Sequence, residues 1–440
     1  MEVLRIMLEA VGGAAGLLLM VFLFYQIIIG LFGFKKETKD YADHDPASRF
    51  LVLIPAHNEA RVIGDIIRNL EKMDYPRELY DYYVIADNCT DDTAEKARAA
   101  GARVIETRKD SPDAPTGKPI ALRKALDSLG KYWKQYDLMM VFDADNLMDT
   151  NLFREVNSQY LDKGKPDFIQ CYLGAKNKAG VVAWFYYTGY TLTNRFFDLA
   201  KHRLGLNCPI GGTGFAMSTE SLRERGGWTT MSLTEDYEIQ VEATLAGCRI
   251  LWNHNVRVYD EKPTRLRAAI RQRVRWGQGH WFVTFRNTGK VFRSFFTGQI
   301  SFGEFLSLLT HMYSVAALPL SIIQAVFSGA AKMIGPKQAM VQLVDVSFFG
   351  VVSSVVILAY SYFFLFYLAD WMDNRIPFDL RTVPLMAGGF VANAIVGACM
   401  QIGGLIRCRD QQHWVKTDHR IAARTVSNRE CAPQAWRKTA

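Results

Sequence analysis

The predicted fold class is an open α/β sheet flanked by helices and joined to α-helical segments that cross or lie along a membrane. Three observations predict it. Between Arg49 and about Gly289, short apolar runs alternate with longer amphipathic ones. Four of the short runs end directly in polar clusters, which is where an open α/β sheet presents ligand-binding residues. Apolar residues also crowd the first 34 positions and the stretch after 303, while the middle has the composition of a soluble α/β domain.

Taken in order, Phe50 to Ile54 reads as a buried strand that ends in Ala56-His57-Asn58-Glu59. Glu59 to Met73 has helical spacing, with Val62, Ile66, Ile67 and Leu70 on one face. Tyr82 to Ala86 is the second strand and runs into Asp87-Asn88. Thr93 to Ala100 is a helix whose start carries Asp91 and Asp92, where carboxylates favour the positive end of the helix dipole. Arg103 to Thr107 is the third strand, followed by Arg108-Lys109, and Lys118 to Leu129 is the next helix. The fourth strand, Leu138 to Phe142, leads straight into Asp143-Ala144-Asp145.

The membrane segments follow from length. From Ala10 to Phe34 the only strongly polar side chain is Gln26. At about 1.5 Å per residue that run reaches roughly 37 Å, against a hydrocarbon core of about 30 Å. A signal peptide is the alternative, but the run is too long for its apolar core and no small-residue cleavage site follows. Lys35-Lys36 then places the following domain in the cytosol. Ser314 to Ala331 and Val344 to Ala369 are two further spans. Val383 to Ile406 is also apolar, but a fourth span would put Arg407, Arg409, Lys416, Arg420 and Arg424 outside the cell. It is therefore expected to be interfacial or re-entrant, which makes a multi-pass plasma-membrane protein with its sheet domain and carboxyl terminus cytosolic.

The formal net charge is +8, from 52 Lys+Arg against 44 Asp+Glu. The excess sits between Arg265 and Arg275 and from Arg407 onward, beside apolar segments. That suits the lipid surface of an inner leaflet and excludes nucleic acid as the partner. Seven cysteines with no C-x-x-C pair argue against a disulfide framework or a zinc site.

Chemistry is carried by three acidic sites and one helix. Asp143 and Asp145, one residue apart after a strand, suit a hard cation that keeps some waters and shares its other ligands with a diphosphate. Asp145 is expected at the mouth of the sheet and outside the core. Asp87 stands where a side chain can meet a nucleobase or ribose, although an Asn/Asp turn reads the same way. Within Thr234-Glu235-Asp236, Asp236 can take a proton from an acceptor hydroxyl, with Glu235 either structural or the alternative base. Gln272, Arg275 and Trp276 fall on or near one helical face, where a guanidinium suits phosphate oxygens and an indole suits a sugar face. An amphipathic helix lying on the bilayer would have the same pattern.

In chain order, Pro55-Ala56-His57-Asn58-Glu59, Asp87-Asn88-Cys89-Thr90-Asp91-Asp92-Thr93, Gly117-Lys118, Asp143-Ala144-Asp145, Gly211-Gly212-Thr213-Gly214, Thr234-Glu235-Asp236 and Gln272-x-x-Arg275-Trp276 resemble family-two glycosyltransferases of the cellulose and hyaluronan synthase type. The resemblance covers about residues 48 to 290 well and the membrane part more loosely. It implies a Rossmann-like GT-A fold, a UDP-sugar donor, a growing glycan as acceptor, and Mg²⁺ or Mn²⁺. It implies that Asp87 contacts the uridine, Asp143 the nucleotide, Asp145 the metal, and that Asp236 is the general base. Lys118 and Thr213 join the donor site, and Gln272, Arg275 and Trp276 hold the diphosphate and the acceptor's terminal sugar. Family members cover the donor with a mobile F-x-V-T-x-K loop, and Trp414-Val415-Lys416-Thr417-Asp418-His419 resembles it, with His419 in place of Lys. On this reading Trp414, Thr417 and His419 are substrate-binding residues.

The domains expected are a transmembrane helix at 1–36, the GT-A domain at 48–290, transmembrane and interfacial helices at 291–406, and a cytosolic tail at 407–440. Three spans are few for a single-chain polymer channel, so a second copy or an accessory subunit is expected to complete the pore. The expected activity is processive, inverting synthesis of a β-linked polysaccharide, with UDP-glucose favoured (a cellulose-like or mixed-linkage glucan). A UDP-N-acetylglucosamine-using or hyaluronan-type synthase is an alternative. So is a single transfer to a lipid-linked acceptor. An inactive membrane scaffold would require the loss of one acidic site, and all three are present.

Overall fold

The computed structural model describes residues 1–111, 114–334, 361–374 and 378–411. Strands β1 (Phe50–Ala56), β2 (Tyr80–Asp87), β3 (Arg103–Thr107), β4 (Leu138–Val141), β5 (Leu147–Met148), β6 (Phe168–Ala175), β7 (Phe215–Ser218) and β8 (Ile250–Asp260) form one sheet in the order β3-β2-β1-β4-β7-β6-β8-β5. β1 pairs in parallel with β2 and β4, and β2 with β3, so four carboxyl ends open on one edge. β7 is antiparallel to β4 and β6, and β6 is parallel to β8. The same edge therefore also receives the turn entering β7 and the residues leaving β6 and β8. One edge of the sheet collects seven chain segments, and that sets where a site can be.

β1 is apolar without a break because helices cover both of its faces. Phe50, Val52 and Ile54 point into one core layer, with α2 (Ile63–Leu70), α3 (Thr93–Ala99) and α5 (Leu152–Asp162). Leu51 and Leu53 point into the other, with α4 (Lys118–Leu129), α8 (Thr219–Glu224) and α9 (Glu235–Leu245). The face predicted for α2 is the buried one, since Val62, Ile66, Ile67 and Leu70 are all inaccessible. The helix is shorter than its periodicity suggests. Asn58 has φ 56, and the Glu59 amide donates to Thr93 Oγ1 at 2.8 Å, so residues 59–62 form a turn instead. β1 and β2 extend past the expected strands to Ala56 and Asp87, which puts the polar clusters on the strand ends themselves.

Among the described residues three helical stretches are long and apolar enough to cross a membrane: Glu2–Leu31, Phe302–Ile334 and Leu380–Ile406. The first, α1, begins eight residues before the expected Ala10, since Glu2, Arg5 and Glu9 continue the helix with an Arg5–Glu9 pair at 3.6 Å. The second begins at Phe302 and not at Ser314. Between α9 and it runs α10 (Leu266–Phe296), and its lower part, α11 (Phe302–Met312), packs Leu308 and Met312 against Val283 and Val291 of α10. Its upper part, α12 (Ala317–Ile334), lies antiparallel to α1, with Gly12 facing Ser328 and Gly16 facing Gln324. Small residues let two such helices approach closely. Leu17, Leu18, Leu23, Phe24, Ile27 and Ile28 remain exposed on the outer side of α1.

The expected span Val344 to Ala369 lies outside the described residues up to 360, and 361–374 is helical (α13). Asp373 at its end is buried against Arg195 and His254. The stretch Leu380–Ile406 has the length and composition of a span, yet it follows the sheet domain. Its first helix, α14 (Val383–Ala398), sets Gly389 against Phe185 of α6 (Gly180–Thr193), and farther on Gly404 meets Gly277 of α10. From Gly389 to Gly404 is about 22 Å of helix held to the domain surface. The expected boundary at 290/291 falls inside α10, which runs unbroken from Leu266 to Phe296.

Candidate active site

At the ends of β1 and β2 the backbone turns left-handed at Asn58 (φ 56) and Asn88 (φ 48), a conformation Asn tolerates better than most residues. Their side chains tie neighbouring loops together. Asn58 Oδ1 accepts from the Thr90 amide at 2.7 Å, and Asn88 Oδ1 accepts from the Lys109 amide at 2.8 Å. Asp87 is held by Thr107 Oγ1 at 2.8 Å and Asn88 Nδ2 at 2.9 Å, both on Oδ1. Three strand ends are thus cross-linked around one oriented carboxylate.

Beyond β4, the Asp143 amide donates to Asn146 Oδ1 and to Thr213 Oγ1, each at 3.0 Å. The Asp143 carboxylate stays about two-fifths exposed and pairs with Lys118 Nζ at 2.6 Å. Asp145 is different: it is at the mouth of the sheet as expected, but buried. Its Oδ2 accepts the Glu261 amide at 2.7 Å, and Lys176 Nζ reaches its backbone carbonyl at 3.0 Å. The cause is the loop after β8, which folds over it.

Lys118 comes from the first residue of α4 and lies between two acids, Asp143 and, at 3.9 Å, Glu235 Oε1. Burial alone would lower its pKa; the carboxylates of Asp143 and Glu235 outweigh burial and raise it. Glu235 is pushed up to about 7, by burial first and then by Asp236, against the pull of Lys118. Asp236 is raised too, mainly by burial, although the Tyr237 amide bonds its Oδ1 at 2.9 Å. Gly212, with φ +77, passes so near that a methyl there would sit 2.8 Å from Asp236 Oδ2. Only glycine meets both demands.

α10 supplies the cationic side. Burial lowers the Arg275 guanidinium below its usual value, against the attraction of Glu235, Asp236 and Asp143, and its Nε is buried with no hydrogen-bond partner. A half-buried guanidinium with an unpartnered Nε, beside three carboxyl groups, is a place for an anion with several acceptor oxygens. Gln272 accepts from Tyr186 OH at 2.7 Å, and Trp276 packs beside Phe185, Ala392 and Val396. Two glycines let α10 sit this close: Gly279 abuts Thr234, and a methyl on Gly404 would be 2.5 Å from the Gly277 carbonyl carbon.

Lys118, Asp143, Glu235, Asp236 and Arg275 therefore converge, with Asp87 and Asp145 beside them on the same edge. Thr213 is buried, and its hydroxyl is engaged by Asp143 and Asn146, so it braces the loop. Trp414, Thr417 and His419 lie outside the described residues. Sequence reasoning missed Gln411, whose Oε1 accepts the Leu233 amide at 3.0 Å while its Nε2 reaches the Gln278 carbonyl at 3.4 Å. No motif marks it. It also missed Tyr186 and Asp260; the position of Asp260 at a strand end was the signal available. Among the described residues no group of three or more His, Cys, Asp or Glu forms a metal cage. Of the two carboxylates after β4, Asp143 is paired with Lys118 and partly exposed, and Asp145 takes the Glu261 amide on Oδ2.

Residues 46–279 match the family described as "Glycosyltransferase like family 2". The "Probable glycosyltransferase YdaM" of Bacillus subtilis is 26% identical over 262 residues, covering 55% of this chain and 57% of that protein. The "Beta-monoglucosyldiacylglycerol synthase" of Synechocystis is 27% identical over 240 residues, covering 53% of this chain and 48% of that protein. The chain spans about half the length of these curated relatives. Among solved structures, the mannosyltransferase PcManGT from Pyrobaculum calidifontis, in complex with GDP-Man and Mn²⁺, superposes with a TM-score of 0.57 at 19% identity, covering 88% of this chain and 99% of that one. At that identity the likeness is one of fold.

Proposed function

The chain belongs to glycosyltransferase family 2, with the GT-A fold, and on that premise we propose that it transfers a hexose from a UDP-sugar, with inversion, to a growing β-linked glycan at the cytosolic face of the plasma membrane. One observation carries the reading. Lys118 and Arg275, two half-buried cations, flank the carboxyl groups of Asp143, Glu235 and Asp236 at the edge where the strands end. Diphosphate oxygens answer the Arg275 guanidinium, whose Nε has no partner, and Asp87 meets the uridine. Asp236, less buried than Glu235 and beside the Gly212 turn, takes the proton of the acceptor hydroxyl. That oxygen bonds to the anomeric carbon as the bond from this carbon to the diphosphate breaks, and UDP leaves. A raised carboxyl pKa suits a base that works near neutrality. Mg²⁺ or Mn²⁺, held by Asp143 and Asp145, would supply neutralising charge to the departing diphosphate.

UDP-glucose is the favoured donor. The exposed apolar face of α1 and its pairing with α12 support a membrane setting, and the length of Leu380–Ile406 in contact with the domain supports an interfacial helix. Polymerisation with export is the finer reading, with a second copy or accessory subunit completing the pore. A single transfer to a lipid acceptor is favoured by one feature: Val391 and Ile395 are exposed on α14, the helix whose Ala392 and Val396 pack beside Trp276. UDP release by the purified protein in detergent, with a panel of UDP-sugars, with and without EDTA, followed by linkage analysis, tests the reading. Wild-type protein that releases no UDP from any of them sinks it, and full turnover in excess EDTA removes the metal. Product length separates polymer from single addition.

A further inference from the structure

We propose that Arg273, which stands between the named residues of its own motif, is a positioning residue that fixes the plane of the Trp276 indole for the acceptor sugar. The inference rests on the reading of Trp276 as the acceptor's stacking surface. Positions 273 and 276 are three apart on α10 and so share a side of the helix. The Arg273 guanidinium carbon lies 4.6 Å from the Trp276 ring centre, 4.9 Å from that of Tyr186 and 5.3 Å from that of Phe185. It is in contact with three rings.

Two of those rings are fixed. Tyr186 and Phe185 are buried, Tyr186 OH donates to Gln272 Oε1 at 2.7 Å, and the Phe185 backbone packs on Gly389. Trp276 is the partly accessible one. Arg273 therefore links a rigid floor on α6 to the indole that borders the cleft. Its neighbours are aromatic and not carboxylates: it lies over three rings and also reaches the Tyr186 hydroxyl, among the described residues it forms no ion pair, and its Nε is buried with no hydrogen-bond partner. A planar guanidinium can lie flat on one ring while presenting its charge to the next; an ammonium is a point charge and cannot. What this arrangement does is hold the orientation of the indole, because Trp276 is the one ring of the three that is not buried. A sugar that stacks on the indole then meets a surface already in place, which lowers the ordering cost of binding.

The test uses the full-length protein in detergent with Arg273→Lys and Arg273→Met, each with and without Trp276→Phe. The near-ultraviolet circular dichroism difference between each protein and its Trp276→Phe partner isolates the indole. It should be strong in wild type, lost in Arg273→Met and partly kept in Arg273→Lys. In the second arm, UDP release from UDP-glucose is followed against cellotetraose as the acceptor probe. Arg273→Met should raise the KM for the probe on the order of tenfold, with kcat and UDP affinity little changed. An unchanged indole signal in Arg273→Met overturns the proposal, and so does a parallel loss of UDP affinity, which would make Arg273 a donor ligand. If wild type releases no UDP, the proposed function has failed separately, and the dichroism arm still decides whether Arg273 orients Trp276.

Discussion

On the β1–β4 flank of the cleft each functional side chain leaves the end of a strand, whereas on the α10 flank the side chains depend on helices drawn together from distant parts of the chain. Asp87 and Asp143 follow β2 and β4, and their neighbours Asn88, Thr107, Asn146 and Thr213 fix them locally. Gln272, Arg275 and Trp276 take their places only because Gly277 and Gly279 admit the 400–404 helix on one side and Thr234 on the other. A flank fixed by topology carries its geometry wherever the sheet folds. A flank fixed by close helix approach is sensitive to the apolar segments packed on it.

The acidic pair stands where the flanks meet, and its removal should give the largest effect. Asp236→Asn is expected to lower the rate by on the order of a hundredfold or more while UDP binding, which the proposed function gives to Asp87 and Arg275, stays near normal. Isothermal titration with UDP beside the rate assay checks it. A collapse of UDP affinity together with the rate would make Asp236 a nucleotide ligand and Glu235 the candidate base.

Next in size is a break confined to the α10 flank. Gly404→Val places a branched side chain where even a methyl would be 2.5 Å from the Gly277 carbonyl carbon, so α10 and the apolar helix must separate. Overpacking of this kind costs about 1–3 kcal/mol. Transfer should fall steeply and UDP binding by less, since Arg275 shifts with α10 while Asp87 keeps its place at the end of β2. If UDP binding is lost to the same degree, the two flanks form one unit and the comparison fails.

The same contrast explains what the sequence made legible. Asp87 and Asp143 were readable because a polar cluster after a short apolar run is a local signal, and β2 and β4 do end there, whereas Asp236, in the first turn of α9, was read from its acidic cluster alone. The buried state of Asp145 was not readable, since the amide that covers it belongs to Glu261, more than a hundred positions away. The starts of the apolar helices were misplaced because Phe302–Met312 is apolar for a different reason: it packs on α10. Gln411 was invisible, as a glutamine near a basic tail carries no pattern, and only the fold brings it to Leu233.

Gln411 allows a finer break. Truncation after Asp410 removes the family-like loop at Trp414 to His419, and it also removes the acceptor of the Leu233 amide, one residue before Thr234. A chain ending at Gln411 should therefore transfer several-fold faster than one ending at Asp410, the effect of one hydrogen bond of about 1 kcal/mol. Side-by-side UDP-release rates of the two truncations decide it. Equal rates would mean that Gln411 does not brace the catalytic turn.

The smallest expected effect is on stability and its dependence on pH. Glu235 has a folded pKa of about 7, against 4.5 for an ordinary glutamate, with burial as the main cause and Asp236 next. Below the ordinary value both folded and unfolded chains carry the proton, and the group adds no dependence on pH. Between the two values the unfolded chain releases a proton that the folded chain keeps, so stability falls as pH rises. Above about 7 both states are ionised and the loss is complete and constant. The pull of Lys118, 3.9 Å away, is already contained in that value and keeps it from lying higher. Glu235→Gln removes the titrating group. Its melting temperature minus that of wild type should therefore grow from about pH 5 to pH 7 and then level off. Parallel curves across that window would mean that the Glu235 carboxylate is already ionised in the fold, paired with Lys118. The base would then share its turn with a permanent charge, and the strand-end flank would reach across to the acidic pair more strongly than α10 does.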